Sequence, residues 1–264
     1  MILHELAHGR AIDAPVAVVV AHPDDETLGV GARIACLHRL TLIHLTDGAP
    51  RSLSTHPIED AKRCATLSAR RARELACALE ILQATPQRSI AYGYPDQESV
   101  LHLPGIVTRL RDDLADVRFV LTHPYEHGHP DHDTAALAVR MACALLAKVS
   151  DTAPMVIEFP SYHARAHDAC FGRFWHDRKH REHVAILDNH ERERKARALA
   201  CFASQREMLQ NFPAGVERFR RAPDYDFSKP APPPLAWYDA QHWPIDSHAW
   251  RQLAQRGMRE IGVA

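Results

Sequence analysis

The sequence predicts an α/β fold: a doubly wound, mainly parallel sheet with helices on both faces. Three observations carry that expectation. Continuous β-branched runs of strand length recur along the first two-thirds of the chain. Amphipathic segments of helical period alternate with them. Polar, chemistry-bearing residues gather just after two of the apolar runs.

Residues 16–21 (VAVVVA) are apolar without interruption, as in a strand buried on both faces of a parallel sheet. Residues 41–46 (TLIHLT) read as a second strand. A long helix follows over 57–83, with Leu67, Leu75, Leu79 and Leu82 among its apolar positions. Residues 89–92 are expected to form a short third strand, 101–115 a helix, and 117–122 (VRFVLT) a fourth strand. A helix over about 130–149 leads to a fifth strand near 155–159. A sixth strand is expected at 183–188, before a helix over about 190–210. The Pro-rich stretch 229–237 (KPAPPPLAW) opens an extended C-terminal arm, about 222–264, that packs on a single domain spanning 1–264.

Composition narrows the class. The chain has 264 residues, 46% apolar and 25% charged, which is ordinary for a globular protein and excludes disorder. Its net charge of −1 argues against a nucleic-acid partner. No stretch approaches the ~18 apolar residues of a membrane span, and the N-terminus lacks a basic segment before its apolar run. Six cysteines without a C-x-x-C pair favour reduced thiols. A cytoplasmic protein with no membrane association is the expectation, and homo-oligomerisation is left open.

Histidine is the outlier, with 19 copies. Chance alone then produces about one His-x-x-His pair, so most histidine spacings carry nothing. Two segments stand apart. His22-Pro-Asp24-Asp25-Glu26 closes the first strand, and His123-Pro-Tyr-Glu-His127-Gly-His129-Pro-Asp-His132-Asp133 follows the fourth. Polar groups at that density are not a packed apolar element, because burying them unpartnered costs several kcal/mol. In the common strand order 3-2-1-4-5, the chain reverses between strands 1 and 4, where ligands of doubly wound sheets bind. The two segments therefore face each other across one crevice.

That pairing suits a metal. His22 and Asp25 lie three apart on a strand-to-helix turn, and a second histidine from the later segment makes a two-His, one-carboxylate set. Such a set with an open position describes a catalytic zinc site, and equally an iron(II) site. Asp24, left beside it, is placed to accept a proton from a water whose pKa the metal has lowered to about 7. The remaining histidine is suited to a developing oxyanion or a leaving amine. Metal-assisted hydrolysis of an amide or ester follows.

HPDDE after one buried strand and HPDH after a later one resemble the PIG-L/LmbE-like zinc-dependent N-deacetylases, which remove acetyl groups from N-acetylglucosamine-type substrates on a Rossmann-like fold. The resemblance implies His22, Asp25 and His132 as zinc ligands, Asp24 as general base and His129 as stabiliser of the transition state. Weaker matches run from about 16 to 220: Thr46-Asp47-Gly48, Arg71-x-x-Glu74-Leu75, Gly93-Tyr-Pro-Asp96 and Ser204-Gln205. Through them the resemblance implies that Arg71 and Asp96 contact sugar hydroxyls. Relatives that place a tyrosine two residues before HPDH use it on the tetrahedral intermediate. This chain has His127 there, which the resemblance makes a candidate substrate contact.

Three rival readings are weighed. Gly29-Val30-Gly31 resembles a dinucleotide-binding turn but lacks the third glycine, and HPDDE would set acidic groups against a pyrophosphate. A metal-storage or scaffold role would draw on the histidines of 163–190, yet that segment reads as a solvated mixed-charge surface, and storage has no use for Asp24. An iron-dependent oxygenase needs the same ligands. In the arm, Trp237, Tyr238, Trp243 and Trp250 are candidates for stacking on a sugar ring or for a dimer contact; ordinary packing is the favoured reading.

Overall fold

The protein is described by a computed structural model over residues 1–51, 57–149, 153–165, 168–176, 179–232, 234–241 and 243–262. His167, among the histidines of 163–190, lies outside the described residues, as does Pro233 of the Pro-rich stretch.

Seven strands form one sheet in the order β3-β2-β1-β4-β5-β9-β8. The central strand β1 (Ile12–Val20) pairs in parallel with β2 (Leu37–Pro50) and β4 (Phe119–Thr122). Parallel pairing continues outward to β3 (Arg88–Asp96) and β5 (Met155–Glu158). The expected 3-2-1-4-5 order is present, and β9 (Val216–Arg221) and β8 (His183–Ile186) extend it with antiparallel pairing.

The uniform apolar run in β1 has a simple cause. Val16, Val18 and Val20 enter one core and Ala17 and Val19 the other, and all five are fully buried. Helices α1 (Ile2–His8), α3 (Pro57–Ile81) and α6 (Asn189–Cys201) cover the first face. Helices α4 (Leu103–Asp113), α5 (Pro130–Ala147) and α9 (Ser247–Ile261) cover the second. The short α2 (Asp25–Val30) follows β1.

Several expectations are corrected. The helix expected over 190–210 ends at Cys201; a 3₁₀ turn at Ala203–Gln205 separates it from α7 (Arg206–Leu209). Strands β6 (Tyr162–Arg165) and β7 (Asp168–Phe171) form a separate two-stranded hairpin. Nor is the arm extended throughout: it holds α8 (Trp237–Ala240) and α9, where Trp250, Ala254 and Gly257 are buried at helical spacing. Trp250 is fully buried, and its Nε1 donates to the Pro130 carbonyl and the Thr134 hydroxyl, both at 3.0 Å. That fixes the arm against α5, directly behind the loop between β4 and α5.

Candidate active site

The carboxyl ends of β1, β3 and β4 surround one cavity of about 290 Å³, lined by His22, Asp24, Asp25, Asp96, His129 and His132 among others. All six are buried. The crevice expected from the topology is therefore where the two segments meet.

Asp25, the first residue of α2, is the hub. Its Oδ1 lies 3.3 Å from His132 Nε2, and its Oδ2 lies 3.3 Å from both His22 Nδ1 and His123 Nε2. The amide of His22 donates to the same Oδ2 at 2.8 Å, which locks the turn. Burial pushes the Asp25 carboxyl up, but His132 and His123 outweigh it and hold the group well below its ordinary range. Burial opposes charge on His22 as well, yet Asp96, Asp131 and Asp25 around the ring raise it well above 6.5.

Imidazole and carboxylate donors converge here from three elements, in groups whose atoms all lie within 4.8 Å of one another. The groups are His22, His129 and His132; Asp25, His123 and His132; and His22, Asp96, His129 and Asp131, so His132 joins His22 in one and Asp25 in another. The donor set fits a divalent cation. His22 turns its other nitrogen, Nε2, to Asp96 Oδ1 and Asp131 Oδ2 at 3.1 Å each, the outer carboxylate contact common for a metal-ligating histidine.

Asp24 stands beside this cluster. It caps α2 with φ of 153°, a backbone region that residues other than glycine rarely adopt. Arg71 Nη2 donates to its Oδ2 at 2.9 Å, and its own amide donates to Glu26 Oε2 at 3.1 Å. Burial raises the Asp24 carboxyl to about 7 against the pull of Arg71. Glu26 itself is fully buried and bonded to His44 Nε2 at 3.0 Å, so the last residue of HPDDE braces the turn from behind.

His129 caps α5, its Nδ1 accepting the Asp131 amide at 3.1 Å. The ring proton therefore sits on Nε2, 3.5 Å from Asp96 Oδ1. Burial, together with the neighbouring His22, holds its pKa well below 6.5, so the ring is a neutral donor.

The three expected substrate contacts differ. Asp96 lines the cavity. Arg71 also lines it, but its guanidinium is engaged by Asp24 and by the Gly48 carbonyl at 2.7 Å. A Cβ on Gly48 would meet that guanidinium at 2.6 Å, and its φ of +66° suits glycine. His127 is placed elsewhere, and the expectation for it is corrected. With φ of 54°, its side chain turns away from the cavity to Asp133 Oδ2 at 2.6 Å, the Ala231 amide at 2.9 Å and the Tyr238 hydroxyl at 3.1 Å.

Sequence reasoning gave no role to His123, stacked on His132 at 4.0 Å, or to Asp131, which accepts from Ser99 and Gln97 at the start of α5. Both were legible as members of the second segment. Tyr162, a cavity residue on β6, had no signal tying it to this site, whereas Trp243, from the arm, lines the cavity although ordinary packing was the favoured reading for it.

Residues 17–143 match the family model PIG-L, described as GlcNAc-PI de-N-acetylase. No curated protein sequence matches the chain. Among solved structures, a deacetylase of the teicoplanin biosynthetic pathway, in triple-mutant form, aligns at 19% identity and a TM-score of 0.58. That alignment covers 80% of this chain and 100% of the other. The A40926 pseudoaglycone deacetylase aligns at 19% identity and 0.55, covering 80% and 97%. A conserved protein from Thermus thermophilus aligns at 18% and 0.54, covering 83% and 100%. At these identities the likeness is one of fold. Among the described residues, no helix is long and apolar enough to cross a membrane.

Proposed function

Residues 17–143 being a PIG-L family domain, we propose that the chain is a metal-dependent N-deacetylase acting on an N-acetylated amino sugar or its glycoconjugate. One observation carries the reading: Asp24, a buried carboxylate outside the donor cluster, shares its cavity and is anchored by Arg71. A storage site has no use for it.

In this reading His22, Asp25 and His132 hold the ion, zinc by preference, although the donor types serve iron(II) as well. The ion supplies Lewis acidity and a water of lowered pKa when bound. Asp24 accepts the proton of the attacking water, its carboxyl already raised to about 7 by burial. His129 donates Nε2–H to the oxygen that develops charge on the amide carbonyl. As the C–N bond breaks, Asp24 returns the proton to the leaving nitrogen, giving acetate and a free amine. Arg71 positions Asp24, and Asp96 orients His22 and His129 while facing the substrate.

The chain acts as one unit over 1–264, with 222–264 packed on it, and works in the cytoplasm on a small neutral substrate without nucleic acid. The testing experiment is a screen of N-acetyl sugars for acetate release by metal-reconstituted enzyme, run beside Asp24→Asn. Asp24→Asn is expected to keep its metal and lose about 10²–10⁴ in kcat. Full activity in a metal-replete variant overturns the general-base role, and a flat response across sugars moves the substrate to other amides.

A further inference from the structure

We propose that Trp243 is the platform on which the substrate's sugar ring stacks, so that the C-terminal arm sets a preference for cyclic over open-chain acetamides. The inference rests on the deacetylase reading above and deepens it.

Trp243 lines the same cavity as the carboxylate and imidazole groups, although it lies a hundred residues beyond the matched family domain. Its ring centroid is 4.6 Å from that of His129, tilted by 57°. An indole is thus set beside the group placed to face the reacting amide. It is held there from both sides. Upstream, the Trp237 amide donates to the His127 carbonyl at 2.8 Å, and the Tyr238 hydroxyl donates to Asp133 at 3.0 Å. Downstream, Trp250 is buried against α5. Both anchors lie on the loop and helix that carry His129 and His132, so the arm and the chemical groups share one frame.

The two kinds of tryptophan in the arm differ in what they do. Trp250 satisfies its Nε1–H and disappears into the core. Trp243 remains half-buried, its indole making no hydrogen bond among the described residues, and it faces a cavity whose apolar lining includes Leu67, Met208 and Phe212. A pyranose offers one broad C–H face and a rim of hydroxyls. The face suits an aromatic plane, and the rim suits Asp96, Gln97 and Gln205, which line the same space. The volume of about 290 Å³ is at the small end for ligand pockets, the scale of a single ring. An open-chain acetamide has no such face to present.

The test compares kcat/KM for the methyl glycoside of N-acetylglucosamine with that for N-acetylethanolamine, in metal-loaded wild type, Trp243→Ala and Trp243→Phe. The ratio of the two is expected to fall about tenfold in Trp243→Ala, mainly through KM for the glycoside, and to recover in Trp243→Phe. Equal losses on both substrates would mean that Trp243 only props His129, and unchanged constants on both would mean no contact; either leaves the ratio unchanged and overturns the proposal. Quenching of intrinsic fluorescence by the glycoside gives a readout independent of turnover, expected in wild type and lost in Trp243→Phe. Quenching that depends on Trp243 without acetate release leaves stacking standing and removes the deacetylase reading. Acetate release with an unchanged ratio does the reverse.

Discussion

His127 and His129 are two residues apart on one loop and live in opposite surroundings. His129 faces the cavity, its Nε2–H toward Asp96, on the side where donors for an ion converge. His127 faces the back, where Asp133, the Ala231 amide and Tyr238 consume its hydrogen-bonding capacity. The front concentrates groups whose partners in this chain leave room for a ligand. Around His127 the back is closed, its two ring nitrogens and the Asp133 carboxylate all meeting partners from the chain. Glu126 belongs to the back as well, accepting from Arg220 and the Trp175 amide at 3.0 and 2.9 Å. Polar density alone therefore does not distinguish chemistry from architecture; which side of the loop a ring faces does.

The contrast can be broken by substitution. The largest effect is expected at the front, where His132→Ala should weaken metal affinity by more than about 100-fold and abolish turnover with it. Elemental analysis decides this, and full metal stoichiometry would remove His132 from the ligand set. Next comes the back: His127→Ala leaves the Ala231 amide unpaired, takes the ring from the Asp133 carboxylate and opens a cavity in the interior, a loss of about 3 kcal/mol. Calorimetry should then show Tm down by roughly 6–12 °C, with metal content retained and kcat down less than about tenfold. An unchanged Tm with a collapse in kcat would erase the distinction between the two faces.

The smallest effect concerns pH. Burial raises Glu126 to about 8 from its ordinary 4.5, despite Arg220. The folded state then holds a proton that the unfolded chain releases above about pH 4.5, so this group costs stability as pH rises from about 4.5 to 8. Glu126→Gln keeps the acceptor and removes the titration. Its Tm should decline less between pH 5 and 8 than that of wild type, and parallel curves would show that Glu126 does not titrate in that window.

Much of the front was legible in the sequence, and little of the back. VAVVVA must be buried on both faces, which makes its strand central, and a central strand ending in HPDDE puts His22, Asp24 and Asp25 at the crevice. The later segment reaches the same crevice because β4 is parallel and adjacent. The back depends on a backbone angle and on distant partners. Only φ of 54° sends His127 opposite to His129, and its partners Ala231 and Tyr238 are more than a hundred residues away. Strand β9 escaped for a related reason. Its sequence, VERFRR, reads as a solvated surface, but Glu217 is buried against Lys195 and Arg220 against Glu158, at 2.6 and 2.9 Å. Helix α9 did carry a signal, in Trp250, Ala254 and Gly257, with small residues where a core stripe usually shows larger ones.

The close approach of Arg71 to Gly48 has a consequence for the proton affinity of Asp24. Two influences oppose each other at that carboxylate, burial lifting its pKa and the guanidinium lowering it. The guanidinium occupies the space a Cβ at position 48 would need. Any larger residue there pushes the cation off its place, and the Coulomb energy lost with distance goes into a more basic Asp24. The proton affinity of that carboxylate thus depends on a residue that has no side chain, on β2 and not on the turn between β1 and α2 that carries Asp24.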